Sequence, residues 1–132
     1  MKNTIPILML LTLFSFSCKK ENASLSGTAW KLVKIKSGES SNFEKAEKDY
    51  ILEFTDETQF VSNLDVNDCG GEYQASEGKI SVSLIFCTEI CCDSPFAEDF
   101  HHILGLVTQY YTRGSRLHLE GEEGEEIVLK KE

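Results

Sequence analysis

Positive charge is scarce in this 132-residue chain: 13 Lys and Arg stand against 22 Asp and Glu, a formal net charge of −9. Phosphate backbones would be repelled over most of such a surface, so nucleic acid is not an expected partner. Length leaves room for one compact domain and excludes two-domain enzymes. The chain also lacks a Ser-His-Asp order, H-E-x-x-H, a Walker loop, G-x-G-x-x-G and C-x-x-C. Without such a constellation no catalytic residue and no cofactor are expected, and the protein reads as a non-enzyme. Internal repeats and low-complexity tracts are absent, and no apolar run reaches the roughly 20 residues of a membrane-spanning helix.

What is present begins with an address. Lys2 precedes an almost wholly apolar run from Ile5 to Phe16, and Ser15, Phe16, Ser17 and Cys18 resemble a lipoprotein cleavage box. Small residues ahead of a cysteine point to a signal peptide over residues 1–17 and to acylation of Cys18. Two acyl chains bind a membrane stably, since each buried methylene contributes about 0.8 kcal/mol. The membrane is thus an expected partner through the anchor alone. Loss of residues 1–17 removes one lysine and no acid, leaving 12 basic residues against 22 acidic ones and a mature charge of −10. Lys19, directly after the cysteine, fits onward sorting to the outer membrane, and residues 18–26 read as the lipidated cysteine and a flexible tether.

The remainder, residues 27–132, alternates as short strands. Trp30, Leu32, Val33 and Ile35 lie in a first strand over 28–36, and Tyr50, Leu52 and Phe54 restore a two-residue period after a polar connection. After a hairpin turn at Asp56 to Thr58, Phe60, Val61 and Leu64 form the next strand. A turn-rich break is expected over 65–71, then strands around Tyr73 and over Ile80, Val82 and Leu84, joined at Ser76 to Gly78. Phe96, Phe100, Ile103, Leu104 and Val107 recur on one helical face, with Ser94 as N-cap and Pro95 in the first turn. Three strands follow, around Tyr110 and Tyr111, Leu117 and Leu119, and Ile127 and Leu129. Strands plus one amphipathic helix define an expected α+β fold.

With Cys18 acylated, Cys69, Cys87, Cys91 and Cys92 form an even set in an oxidising compartment, which favours disulfides. A ring between neighbours would be strained, leaving Cys69–Cys92 with Cys87–Cys91, or Cys69–Cys91 with Cys87–Cys92. A hairpin about Glu77 and Gly78 sets Cys69 nearly opposite Cys87 instead, and the spacing leaves these alternatives open. A metal or redox site from Cys87, Cys91 and Cys92 with His101 or His102 is the rarer reading. His101, His102 and the isolated His118 are expected to face solvent. Glu120, Glu122, Glu123, Glu125 and Glu126 read as a solvated turn rather than a calcium loop. Trp30, Tyr73, Tyr110 and Tyr111 are expected in the core, a ligand cleft being the rarer alternative.

Several residues, correctly ordered along the chain, resemble the META domain, the family of HslJ-type proteins and many small envelope lipoproteins. Leu25, Gly27, Thr28, Trp30 and Leu32 resemble its opening strand. Asn67, Gly71 and Tyr73 keep its N-x-x-x-G-x-Y loop, and Thr88 with Cys92 its T-x-x-x-C segment. Phe96, Leu104, Val107, Tyr110, Gly114, Leu117 and Leu119 follow its ending. Where the family often carries a cysteine before the loop asparagine this chain has Val66, so a family disulfide there is displaced or absent. The resemblance implies a small antiparallel sheet or partial barrel packed by one helix. It also implies a non-enzymatic, stress-related or interaction role, with an unknown envelope protein or small ligand as partner. Lipocalin-like binding of a small ligand is the first alternative, and cysteine-based metal or redox work the second. Asn67, Gly71 and Tyr73 are expected to serve the loop's structure.

Overall fold

The computed structural model describes residues 20–132, with Leu84 given by its backbone alone. The signal run, Cys18 and Lys19 lie outside the described residues. Among those described, the strands are β1 (Thr28–Lys36), β2 (Glu44–Lys45), β3 (Ile51–Phe54), β4 (Gln59–Asn63), β5 (Asp68–Ser76), β6 (Lys79–Cys87), β7 (Val107–Arg113), β8 (Arg116–Gly121) and β9 (Glu126–Lys131). One helix, α1 (Pro95–Leu104), interrupts the series between β6 and β7.

Neighbours from β3 to β9 pair antiparallel, and β1 joins β3 along one edge and β9 along the other. Eight strands therefore close into an antiparallel barrel, with β2 as a two-residue addition beside Lys34 and Ile35. The fold is mostly β, which corrects the expectation of an α+β fold with a small sheet or partial barrel. Closure depends on pairing the first strand with the last, Leu32 with Leu129 for example, and local periodicity does not report a contact between segments so far apart in the chain. A register shift between Leu32 and Lys34 lets the single long β1 follow both partners.

Inward alternation fills the lumen. Leu52, Phe54, Phe60, Leu117, Ile127 and Leu129 are all fully buried. The barrel thus encloses a packed core instead of a hollow. Its thinnest seam is between β6 and β7, where Lys79 and Gln109 form one ladder pair and Tyr110 N–H donates to the Gly78 carbonyl at 2.9 Å.

The helix covers one end of the barrel. Phe96 and Phe100 pack on Tyr50 with ring centroids 5.6 and 6.3 Å away, and Ala97, Phe100, Ile103 and Leu104 are buried. Ser94 Oγ accepts from Ala97 N–H at 3.3 Å, as the N-cap expectation requires. The helix ends at Gly105, so Val107, expected on its apolar face, opens β7 instead.

The opposite end is closed by turns and by the segment before β1. Glu77 and Gly78 have φ of 52° and 84°, consecutive left-handed residues that suit a tight hairpin with the sheet's own twist. Leu25 is buried, and Glu21 exchanges two backbone hydrogen bonds with Thr112, at 2.9 and 2.7 Å. The Thr28–Trp30 pairing has a local cause: Trp30 Nε1–H donates to Thr28 Oγ1 at 2.7 Å while that hydroxyl donates to the Leu25 carbonyl. Tyr73 closes the same end, donating to the Asp56 carbonyl at 2.6 Å and meeting Phe54 edge-on.

Candidate functional site

The chemistry concentrates where β5 meets β6. Their hairpin pairs Ser76 with Lys79 and runs regularly to Glu72 opposite Ser83, but one extra β6 residue then fits between Ser83 and Phe86. A one-residue slip exchanges inward and outward faces. Phe86, which unbroken alternation from Ile80 would point inward, is consequently turned out and is 70% exposed. The same slip places Cys87 opposite Cys69, with Cα atoms 4.1 Å apart, and the two are joined by a disulfide. The Cys91 and Cys92 sulfurs lie beside each other, away from Cys69. Neither scheme linking Cys69 to Cys91 or Cys92 is formed: strand register decides the pairing.

A groove of about 560 Å³ runs over this part of the outer wall, between Ile51 and Val61 on one side and Phe86, Cys87 and Thr88 on the other. Gly70 forms its floor. A Cβ there would meet Phe86 Cζ at 3.0 Å and the Phe60 carbonyl at 3.2 Å, so the glycine is what admits the aromatic ring across the strand. Val61 is 45% exposed, and Glu53 and Asp68 bring carboxylates to the rim. Isolated exposed apolar residues are ordinary, whereas Val61 and Phe86 flank one concavity with acid beside it.

Below the groove lies His101, whose Nε2 is 3.5 Å from Cys87 Sγ. Cys69 Sγ, Cys87 Sγ and a His101 ring nitrogen all fall within 4.8 Å of one another. Burial pushes the His101 pKa below its ordinary value, opposed by the Asp93 charge. The expectation of solvent-facing histidines therefore fails for His101. It fails also for His118, which stacks on Tyr111 with centroids 4.7 Å apart and holds Glu126 at 3.1 Å through Nδ1. His102 is exposed, and helix geometry keeps it off the cysteine side.

Asn67 ties the loop before α1 to the start of β5. Its Nδ2 donates to the Ile90 carbonyl at 2.7 Å and to Asp93 Oδ2, and its Oδ1 accepts from Thr88 Oγ1 at 2.9 Å and Ile90 N–H at 2.8 Å. The residue is buried, and its side chain holds the loop by hydrogen bonds, where a turn residue would have served through its backbone. Gly71 lies within β5, opposite Phe60, so the turn-rich break expected over 65–71 shrinks to the few residues before Asp68. Two carboxylates complete the clamp. Asp65 accepts from Lys48 Nζ at 2.6 Å, Tyr50 hydroxyl at 2.9 Å and Ser94 N–H at 2.8 Å, and the Lys48 bond first, then Ser94, hold its pKa well below the carboxylate range. Burial would raise Asp93, but the Val66 and Asn67 donors outweigh it and its pKa is lowered.

The other sequence candidates are structural. Trp30, Tyr73 and Tyr110 are buried in the core, while Tyr111 is half-buried on the outer wall. Of the glutamates about Gly121 and Gly124, Glu125 is buried under its own turn and accepts from Glu123 N–H at 3.0 Å. The groove escaped sequence reasoning because the bulge that makes it leaves the composition of β6 unchanged.

An eight-strand antiparallel barrel capped by one helix, with a filled lumen and an acidic-rimmed outer groove, defines the structural class. The META domain family model matches residues 23–132, and the chain belongs to that family. Among solved structures, a protein from Burkholderia xenovorans determined by NMR is 16% identical with a TM-score of 0.68, covering 82% of this chain and 83% of that one. A crystal structure of a DUF4847 family protein from Bacteroides vulgatus is 14% identical with a TM-score of 0.60, covering 81% of this chain and 93% of that one. At these identities the likeness is one of fold. No curated protein matches.

Proposed function

We propose that this protein is a non-enzymatic envelope lipoprotein, acylated at Cys18, sorted to the outer membrane, and used as an interaction module through the outer groove of its barrel. One observation carries the reading: the lumen is packed with side chains, while the apolar concavity lies outside, with Phe86 exposed above it. A partner segment that pairs an apolar side chain with neighbouring Lys or Arg matches both the groove and the Glu53 and Asp68 carboxylates on its rim.

The test has two arms. A photo-crosslinking side chain at position 86, in cells, should capture a defined envelope protein that the same group at exposed Glu122, in the turn between β8 and β9, does not. Indiscriminate or equal capture from both positions would overturn the contact face. Intact mass of the membrane-extracted chain should begin at Cys18 and carry acyl mass, and an unmodified sulfur there would overturn the anchor. A second reading, a lipocalin-like binder of a small apolar ligand, is favoured by the groove's volume, which falls in the range of ligand sites. It would use the outer groove too, and saturable binding of a small apolar probe, lost on Phe86→Ser, would distinguish it.

A further inference from the structure

We propose that Cys69, Cys87 and His101 form a reduction-gated site for a thiophilic metal ion of the Zn²⁺ type, closed when the disulfide is intact and open when it is reduced. The three residues come from β5, β6 and α1, so the barrel and its cap build the site together. Their candidate ligand atoms already lie within 4.8 Å of one another. Tetrahedral zinc with Zn–S of about 2.3 Å and Zn–N of about 2.05 Å sets S and N ligands about 3.5 Å apart. His101 Nε2 and Cys87 Sγ stand 3.5 Å apart, the same spacing. Across such an ion the two sulfurs must separate to about 3.8 Å and Cys69 Sγ must stand about 3.5 Å from the ring nitrogen, within reach of its present spacing of no more than 4.8 Å; cleavage of the disulfide permits both by side-chain rotation.

The balance is complete with an external dithiol as reductant. The dithiol supplies two electrons and two protons, the Cys69–Cys87 bond breaks to two thiols, and the dithiol leaves as its own disulfide. The metal ion then replaces a proton on each thiol, and both protons go to solvent. His101 contributes the Nε2 lone pair, and two thiolates neutralise the double charge of the ion. Cys87 is partly exposed and lines the outer groove, so a reductant has a sulfur to attack, whereas Cys69 is 3% exposed. A fourth position is left for water.

The experiment uses the purified protein, reduced anaerobically with a phosphine that is then removed, and titrated with Co²⁺ as the spectroscopic stand-in for Zn²⁺. One equivalent should bind with a thiolate charge-transfer band in the near ultraviolet, and Zn²⁺ should displace it. The oxidised protein should show no band. Cys69→Ser and Cys87→Ser should each abolish it, and His101→Ala should weaken binding at least tenfold, while His102→Ala and the double variant Cys91→Ser, Cys92→Ser leave it unchanged. Circular dichroism follows the reduced fold: if reduction unfolds the chain, Zn²⁺ should restore the barrel signal. Absence of the band in reduced wild type, failure of Zn²⁺ to restore a lost fold, or a band that persists in the Cys69 and Cys87 variants would overturn the proposal.

Discussion

Replacing Asn67 with alanine removes four side-chain hydrogen bonds at once, to the Ile90 carbonyl and N–H, the Thr88 hydroxyl and the Asp93 carboxylate. Neutral bonds contribute about 1 kcal/mol each net, and the bond to a charged group about 1.5–3 kcal/mol. Ile90 and Thr88 are both exposed, so water recovers part of that sum. The expected cost is about 2–4 kcal/mol. For a domain of about 110 residues each kcal/mol shifts the melting temperature by about 4 °C, so Asn67→Ala should lower it by about 8–16 °C. Thermal unfolding followed by circular dichroism is the assay, with Val66→Ser as the neighbouring control at an exposed position. Asn67→Asp should be at least as damaging at neutral pH, because a carboxylate would face the Ile90 carbonyl and Asp93. A loss below about 3 °C for Asn67→Ala would refute the idea that this amide clamps the loop.

Three other outcomes follow from the same geometry. Asp65 has a folded pKa held below its unfolded value of about 4, so its contribution is full above that value and disappears as pH falls through the folded pKa. Urea unfolding of wild type should therefore weaken from about pH 5 to about pH 3 more steeply than that of Asp65→Asn, and parallel pH profiles would contradict this. Leu25→Ala opens a cavity at a buried position and should cost about 2–4 kcal/mol in chemical denaturation. Phe86→Ser should change stability by less than about 1 kcal/mol, since the ring is largely exposed, while abolishing capture by a photo-crosslinking side chain placed at Val61 on the other side of the groove.

Much of the fold was legible in local pattern. The nine residues of β1, the Glu77–Gly78 turn and the start of α1 each follow from periodicity or capping chemistry that a short window contains. The candidate site was legible only in its residue types. Cys69, Cys87 and His101 were visible as thiols and an imidazole, and the hairpin about Glu77 and Gly78 set Cys69 nearly opposite Cys87, but no spacing rule supplies the one-residue shift that aligns the two cysteines or brings position 101 beneath them. The helix end was not legible because Val107 continues the apolar period past Gly105, and periodicity does not mark where the backbone leaves the helix.

By itself, the sequence determined strand and helix propensity, the excess of acid and the resemblance to the META domain, because these are properties of neighbouring residues or of summed charge. Tertiary structure alone decided three things: closure of β1 on β9, the outward turn of Phe86, and the meeting of two cysteines with His101. Each depends on register between distant segments, where a slip of one residue exchanges the faces of a strand without altering any local preference.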